Sequence, residues 1–301
     1  MPIRTIIIPA AGMGTRLMPA TKVTAKELLP VFDRVAIDFA VEEAIGVGVE
    51  RIIVVTSLSK SALRTYLGSV ATDFCIDHDR AGQHQAGTEI IYVYQDRPLG
   101  LGHAVLCCRE SVLPGPVGVI LPDDIIMGQN AMAEMSGKYR GGHMIAGMAV
   151  SVTEAAQYGI FQLSGLPVDR CIPVSGMVEK PAPGTAPSSV AAVGRYILDP
   201  MIFDVLSHTP QGKGGEVQLT DAISIAALAV PLTAFQFSGT RYDCGNHDGL
   251  LAASNARQAI VRNDSRKRIG SDSVAVATSG TIRDLASVPG FARSRPAAVG
   301  L

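Results

Sequence analysis

Residues 6–30 read IIIPAAGMGTRLMPATKVTAKELLP: an apolar run meets a glycine-rich turn, which delivers Arg16, Lys22 and Lys26 before any acidic residue appears. The β-branched stretch from Thr5 through Ile8 is short enough for a buried parallel strand, and Pro9, Ala10, Ala11 and Gly12 end it with small residues that let a ligand approach the main chain. Gly12 and Gly14 are able to take positive φ and aim successive N–H groups into one concavity, which suits anionic oxygens. With an arginine and two lysines close by, the expected ligand is a polyphosphate. Two familiar alternatives do not fit. A P-loop needs Lys-Ser or Lys-Thr after its last glycine, and a dinucleotide fingerprint needs a third small residue where Leu17 stands. Taken alone, Gly12-Met13-Gly14 is equally consistent with a plain tight turn.

Composition narrows the function further. The chain has 301 residues and a formal net charge of -1, which excludes bulk electrostatic binding to nucleic acid or to an anionic membrane and makes any anion site local. Mean hydropathy is high at +0.27, but the longest apolar candidate, 222–237, contains Pro231 and falls short of the roughly 20 residues a span needs. Arg4 leads directly into the first strand with no leader-like segment, so a soluble cytoplasmic protein is expected. Five cysteines, Cys75, Cys107, Cys108, Cys171 and Cys244, form no C-x-x-C pair and are expected to be reduced.

Strand and helix signals alternate along the chain, which predicts an α/β fold of βαβ units with a mostly parallel central sheet flanked by helices. Ile37, Ala40, Val41, Ala44, Ile45 and Gly48 fall on one helical face, and RIIVVT at 51–56 is the next strand. A helix follows Ser59 as far as Leu67, and 68–87 reads as a loop excursion. Strands are expected at 89–95, 117–121, 144–152, 160–163, 177–180 and 190–198, with helices at 200–207 and 221–228. One domain is predicted over 1–262, with 263–301 a tail that is loosely ordered or packs on a partner subunit.

Several positions carry chemistry. Asp123 directly follows a buried strand, where open α/β sheets bind ligands, and a carboxylate there beside a polyphosphate suits Mg²⁺. Asp124 is weaker, because adjacent side chains point apart. Gln95 precedes a second glycine-rich helix entry, Gly100-Leu101-Gly102-His103, and offers donor and acceptor groups matched to a pyrimidine edge. His103 reads as structural. Glu179 and Lys180 end a strand before Pro181 and reach one ligand only if the strand ends or bulges there. Residues 215–221 look like a capped helix start, and Asp243 sits in a tight turn.

Together PAAGMGTRLMPATK, KELLP, GLGHAVLCC, ILPDD, YGIF, VEKP, VGRYIL, EVQLTDAI and DCGN, in that order, resemble the bacterial UTP-glucose-1-phosphate uridylyltransferases, or UDP-glucose pyrophosphorylases. The resemblance implies a Rossmann-like nucleotidyltransferase fold with a mixed, mostly parallel sheet, and Mg²⁺-dependent transfer of UMP from UTP to glucose 1-phosphate, in a homodimer or homotetramer. It implies that Ala11, Gly12, Gly14 and Glu27 lie along the nucleotide, with Gln95 and Gly100 on the uracil. Arg16 and Lys26 are implied on the triphosphate, and Asp123 and Asp243 on the metal. Glu179 is implied on glucose hydroxyls and Lys180 on the sugar phosphate, with Tyr158, Gly159 and Gly194 lining the sugar pocket. The chain departs from the family where Ala25 replaces the proline before Lys26. The alternatives are a related transferase using dTTP or CTP or another sugar phosphate, and a weakly catalytic regulatory paralogue, which loss of Arg16 or Asp123 would favour although both are present; a nucleotide-dependent oxidoreductase lacks its fingerprint.

Overall fold

A computed structural model describes residues 2–73 and 87–278. The chain begins with β1 (Thr5–Pro9), a hairpin of β2 (Pro30–Val31) and β3 (Arg34–Val35), α1 (Ala36–Val47), β4 (Arg51–Thr56), α2 (Ser61–Asp73) and β5 (Glu89–Tyr94). It continues through α3 (Leu101–Leu106), β6 (Val117–Ile120), β7 (Asp124–Met127), α4 (Ala131–Lys138), β8 (His143–Ala149), β9 (Gly159–Leu163), β10 (Cys171–Glu179) and β11 (Val190–Leu198). The last elements are α5 (Ile202–His208), α6 (Leu219–Ala226), β12 (Leu232–Gln236), β13 (Thr240–Asp243) and α7 (His247–Thr278).

Nine strands form one sheet in the order β5-β4-β1-β6-β11-β8-β12-β10-β9. The first four run parallel, with Thr5 opposite both Arg51 and Val117. Antiparallel pairing of β11 with β6 and β8, and of β10 with β9 and β12, makes the far half mixed. A strand flanked on both sides and covered on both faces reads as an uninterrupted apolar run. Accordingly Ile6, Ile7 and Ile8 are each fully buried, a burial worth about 2–3 kcal/mol per side chain. The pleat sends them to opposite layers. Ile6 and Ile8 pack with Ile37 and Val41 of α1 and Met132 and Met135 of α4, while Ile7 packs with Val105 of α3, Leu206 of α5 and Ile223 of α6.

Helix α1 buries Ile37, Ala40, Val41 and Ala44 as its periodicity predicts, whereas Gly48 leaves that face to end the helix in the left-handed conformation at φ 80°. From the expected excursion at 68–87, residues 68–73 complete α2, and 74–86, with Cys75, lie outside the described residues. The compact unit that carries the elements above extends to Gln258. Taken by themselves, residues 259–278 are helical, including the stretch from 263 that shows no periodicity, and 279–301 lie outside the described residues. Four cysteines, Cys107, Cys108, Cys171 and Cys244, are free thiols. Among the described residues no helix is long and apolar enough to cross a membrane.

Candidate active site

Four neighbouring parallel strands deliver one functional group each at their carboxyl ends: the glycine turn after β1, Lys60 after β4, Gln95 after β5 and Asp123 after β6. This is the edge at which open α/β sheets bind ligands. In the turn, Gly14 has φ 65°, and Thr21 Oγ1 donates to its carbonyl at 2.8 Å, closing the loop onto a short 3-10 turn at Thr15–Leu17. Among the described residues the N–H groups of residues 11–16 donate to no main-chain carbonyl, which leaves them available to an external acceptor.

Lys26 reaches across this turn to Asp123, with Nζ 2.6 Å from Oδ2. Ala25, where the family resemblance leads one to expect proline, has φ -58°, within the range a proline ring imposes, and ψ 135°. Burial pushes the Asp123 carboxyl up, but the Lys26 ammonium, with smaller help from a main-chain hydrogen bond and Arg16, holds it below the usual carboxylate range. Burial also lowers the Lys26 ammonium, and the Asp123 and Glu27 carboxylates reverse that, raising it overall.

Asp243 ends β13 beside Asp123. Its Oδ1 accepts from Gly245 N at 3.0 Å, and Arg16 Nη1 stands 3.8 Å from its Oδ2. A Cβ placed on Gly245 would lie 3.1 Å from Asp123 Oδ2, 3.0 Å from Asp243 Oδ1 and 2.6 Å from Arg16 Nη2. Both carboxylates therefore face one point. No cluster of three or more His, Cys, Asp or Glu suited to a metal exists among the described residues. Two carboxylates converging beside a phosphate site still fit Mg²⁺, which takes its remaining oxygens from phosphate and water.

Asp124, the first residue of β7, turns the other way from Asp123 in the preceding turn. Its carboxylate accepts from Gly194 N at 2.7 Å and pairs with Arg241, while its carbonyl accepts from the fully buried Arg195, which is itself held by Glu43. A Cβ on Gly194 would stand 2.7 Å from that of Asp124. Gly194 thus backs Asp124 instead of lining the pocket.

The far side of the site forms around a kink. Lys180 has φ 42°, in the left-handed region that side chains rarely adopt, and this ends β10 so that Lys180 Nζ comes 3.3 Å from Glu179 Oε1. The strand termination that lets adjacent side chains share a ligand is therefore present. Glu179 Oε2 accepts from Thr220 Oγ1 at 2.8 Å and would stand 3.2 Å from a Cβ on Gly159. Lys180 N donates to Tyr158 O, and Tyr158 OH accepts from Arg241 Nη1 at 2.9 Å beneath a guanidinium 5.1 Å from its ring centre. A cavity of about 560 Å³ joins Arg16, Asp123 and Asp243 to Tyr158, Lys180 and Arg241.

On the base side, Gln95 is buried and its Nε2 donates to Gly100 O and His103 Nδ1, both at 3.0 Å. His103 is thus structural, fixing the amide. Glu27 is 1% exposed and engaged by Lys60, which puts it beneath the turn and away from the face a nucleotide would meet. Sequence reasoning misses Lys60, Thr220 and Arg241. A lysine directly preceding α2 is unfavourable beside the positive end of a helix, and that mismatch is the one local sign of Lys60. Thr220 and Arg241 flank predicted features, but their partners lie 41 and 117 residues away.

Residues 5–259 match the family described as Nucleotidyl transferase. The chain is 36% identical over 279 residues to the UTP–glucose-1-phosphate uridylyltransferase YngB of Bacillus subtilis (strain 168), covering 89% of this chain and 93% of that protein. It is 38% identical over 267 residues to the UTP–glucose-1-phosphate uridylyltransferase of Pseudomonas aeruginosa, covering 84% and 95%. A UDP-glucose pyrophosphorylase crystallised with UDP-glucose superposes with a TM-score of 0.77 at 35% identity, covering 85% of this chain and 99% of that one.

Proposed function

The chain belongs to the nucleotidyl transferase family, and from that premise we propose that it transfers UMP from UTP to α-D-glucose 1-phosphate, giving UDP-glucose and pyrophosphate. The observation that carries this reading is one cavity in which Arg16, Asp123 and Asp243 meet Tyr158 and Lys180, with Lys26 joined to it through its 2.6 Å bond to Asp123.

The turn's available N–H groups and Arg16 and Lys26 hold the triphosphate. Gln95 and Gly100 receive the uracil, with the Gln95 amide oriented by His103. Lys180 holds the sugar phosphate and Glu179 the glucose hydroxyls, with Tyr158 and Gly159 beside them. An oxygen of glucose 1-phosphate forms the new bond to the α-phosphorus as the bond to the β-phosphate oxygen breaks in line. A phosphate monoester is nucleophilic at neutral pH, so positioning and charge neutralisation do the catalysis and no general base is required. Asp123 and Asp243 would hold Mg²⁺, which when bound neutralises developing phosphate charge.

Pyrophosphate release measured with UTP, glucose 1-phosphate and Mg²⁺, beside parallel reactions with dTTP, with CTP and with other sugar 1-phosphates, tests the reading. Highest kcat/KM for the UTP and glucose pair supports it. Higher kcat/KM with dTTP or CTP, or with another sugar, would replace the substrate assignment, and no release with any pair would overturn the reaction.

A further inference from the structure

The Lys60 side chain is 10% exposed, and its ammonium spends its hydrogen bonds on a single place in the fold. Its Nζ donates to Ala10 O at 2.7 Å and to Gly12 O at 2.6 Å, and it lies 3.0 and 2.8 Å from the two oxygens of Glu27. Glu27 in turn has no exposed side-chain surface. The ion pair therefore sits behind the glycine turn and grips two of its carbonyls from the inner side.

The consequence follows from peptide geometry. The C=O and N–H of one peptide unit point in opposite directions. Fixing the carbonyls of Ala10 and Gly12 inward therefore turns the N–H groups of Ala11 and Met13 the opposite way, among those left available to an external acceptor. Two carbonyl oxygens left free to swing would instead present negative ends to an anionic ligand. A lysine is suited to the task because its ammonium offers three donors from one atom, and the Glu27 carboxylate supplies the countercharge needed away from water.

We propose that Lys60 is a positioning residue for nucleotide binding: it presets the glycine turn for the phosphates of UTP by holding the Ala10 and Gly12 carbonyls away from them. This rests on the reading of the turn as the triphosphate site. Lys60 does not touch the nucleotide and takes no part in holding the sugar phosphate.

Lys60→Met alone leaves the Glu27 carboxylate buried without its partner, so the comparison is made in a Glu27→Gln background, where both charges are absent from the double variant. KM for UTP and KM for glucose 1-phosphate are measured for Glu27→Gln and for Glu27→Gln/Lys60→Met, together with thermal unfolding. The expected result is a KM for UTP at least tenfold higher in the double variant, with KM for glucose 1-phosphate at saturating UTP changed less than twofold and both proteins folded. Equal KM values for UTP in two folded variants would overturn the proposal. Proportionate losses for both substrates would also overturn it, since they mark a general structural role. Pyrophosphate release by the parent enzyme tests the reading of the site separately, so failure of that reading and failure of the Lys60 role are distinguishable.

Discussion

Lys26 and Asp123, 97 residues apart in sequence, meet at 2.6 Å, and Arg16 and Asp243 repeat the arrangement more loosely at 3.8 Å. The site thus balances its own charge, each cation set against a carboxylate. On the proposed reading, a triphosphate would compete for both cations and leave both carboxylates to a metal, an exchange of partners with little net charge left uncovered.

Lys26→Ala removes one of these cations from the transferring phosphates. Losing a single preorganised group of this kind typically costs about a hundredfold to a thousandfold in turnover. We expect kcat to fall by that amount at saturating substrates with an unchanged circular dichroism spectrum. Turnover within a few-fold of the parent would remove Lys26 from the catalytic set.

Thr220 gives Glu179 its hydrogen bond at Oε2, leaving Lys180 at Oε1 to fix the other end of the carboxylate. Thr220→Val keeps the shape and deletes the donor. A hydrogen bond to a charged group is worth about 1.5–3 kcal/mol, which is roughly tenfold or more in affinity. KM for glucose 1-phosphate should rise on that scale while KM for UTP holds. A change in KM for UTP alone would contradict the assignment of this corner to the sugar.

His143 makes stability depend on pH. It is fully buried at the start of β8, with Nδ1 accepting from Asp199 N at 3.1 Å. Burial pushes its imidazole down to about 4 from an ordinary 6.5, against the opposing pull of the Asp199 carboxylate. Between those values the unfolded chain binds a proton that the folded chain does not, so stability is present above pH 6.5 and declines as pH falls toward 4, by at most about 3 kcal/mol. His143→Asn retains an acceptor and should flatten this decline, measured as the urea midpoint from pH 7.5 to 4.5. Parallel curves for the two proteins would show that His143 titrates elsewhere.

The parts legible in the sequence are those fixed by local periodicity. The strand and turn at 5–16, the face of α1 and all nine residues of β11 stand out because burial on both faces, or on one stripe, writes itself into consecutive residues. The sugar half is less legible: no local pattern announces that Lys180 takes φ 42°, and β10 extends back to Cys171, well before 177. Short elements such as β7, β13 and α4 also escape, since four to eight residues hold too little periodicity. Glu27 shows the deeper limit. The family resemblance places it along the nucleotide, yet its side chain is buried against Lys60, 33 residues on. Which side of a loop a charge occupies is decided by its distant partner.

Gly245 provides the sharpest test of the two-carboxylate centre. No positive φ accompanies this glycine, so its backbone accepts alanine, and the new methyl would stand 3.1 Å from Asp123 Oδ2, 3.0 Å from Asp243 Oδ1 and 2.6 Å from Arg16 Nη2. The closest of these is the far end of a flexible, 65% exposed arginine, which moves aside readily. The fold should therefore survive, with thermal unfolding within a few degrees of the parent. The space between the carboxylates should not: a cation bridging them loses its place, because Mg²⁺ needs oxygens at about 2.1 Å in near-ideal octahedral geometry. We expect Gly245→Ala to lower pyrophosphate release about a hundredfold or more. Mn²⁺ titration in the presence of UTP, followed by electron paramagnetic resonance, should show weakened binding. A folded Gly245→Ala enzyme with parental turnover and parental Mn²⁺ affinity would place the metal away from Asp123 and Asp243.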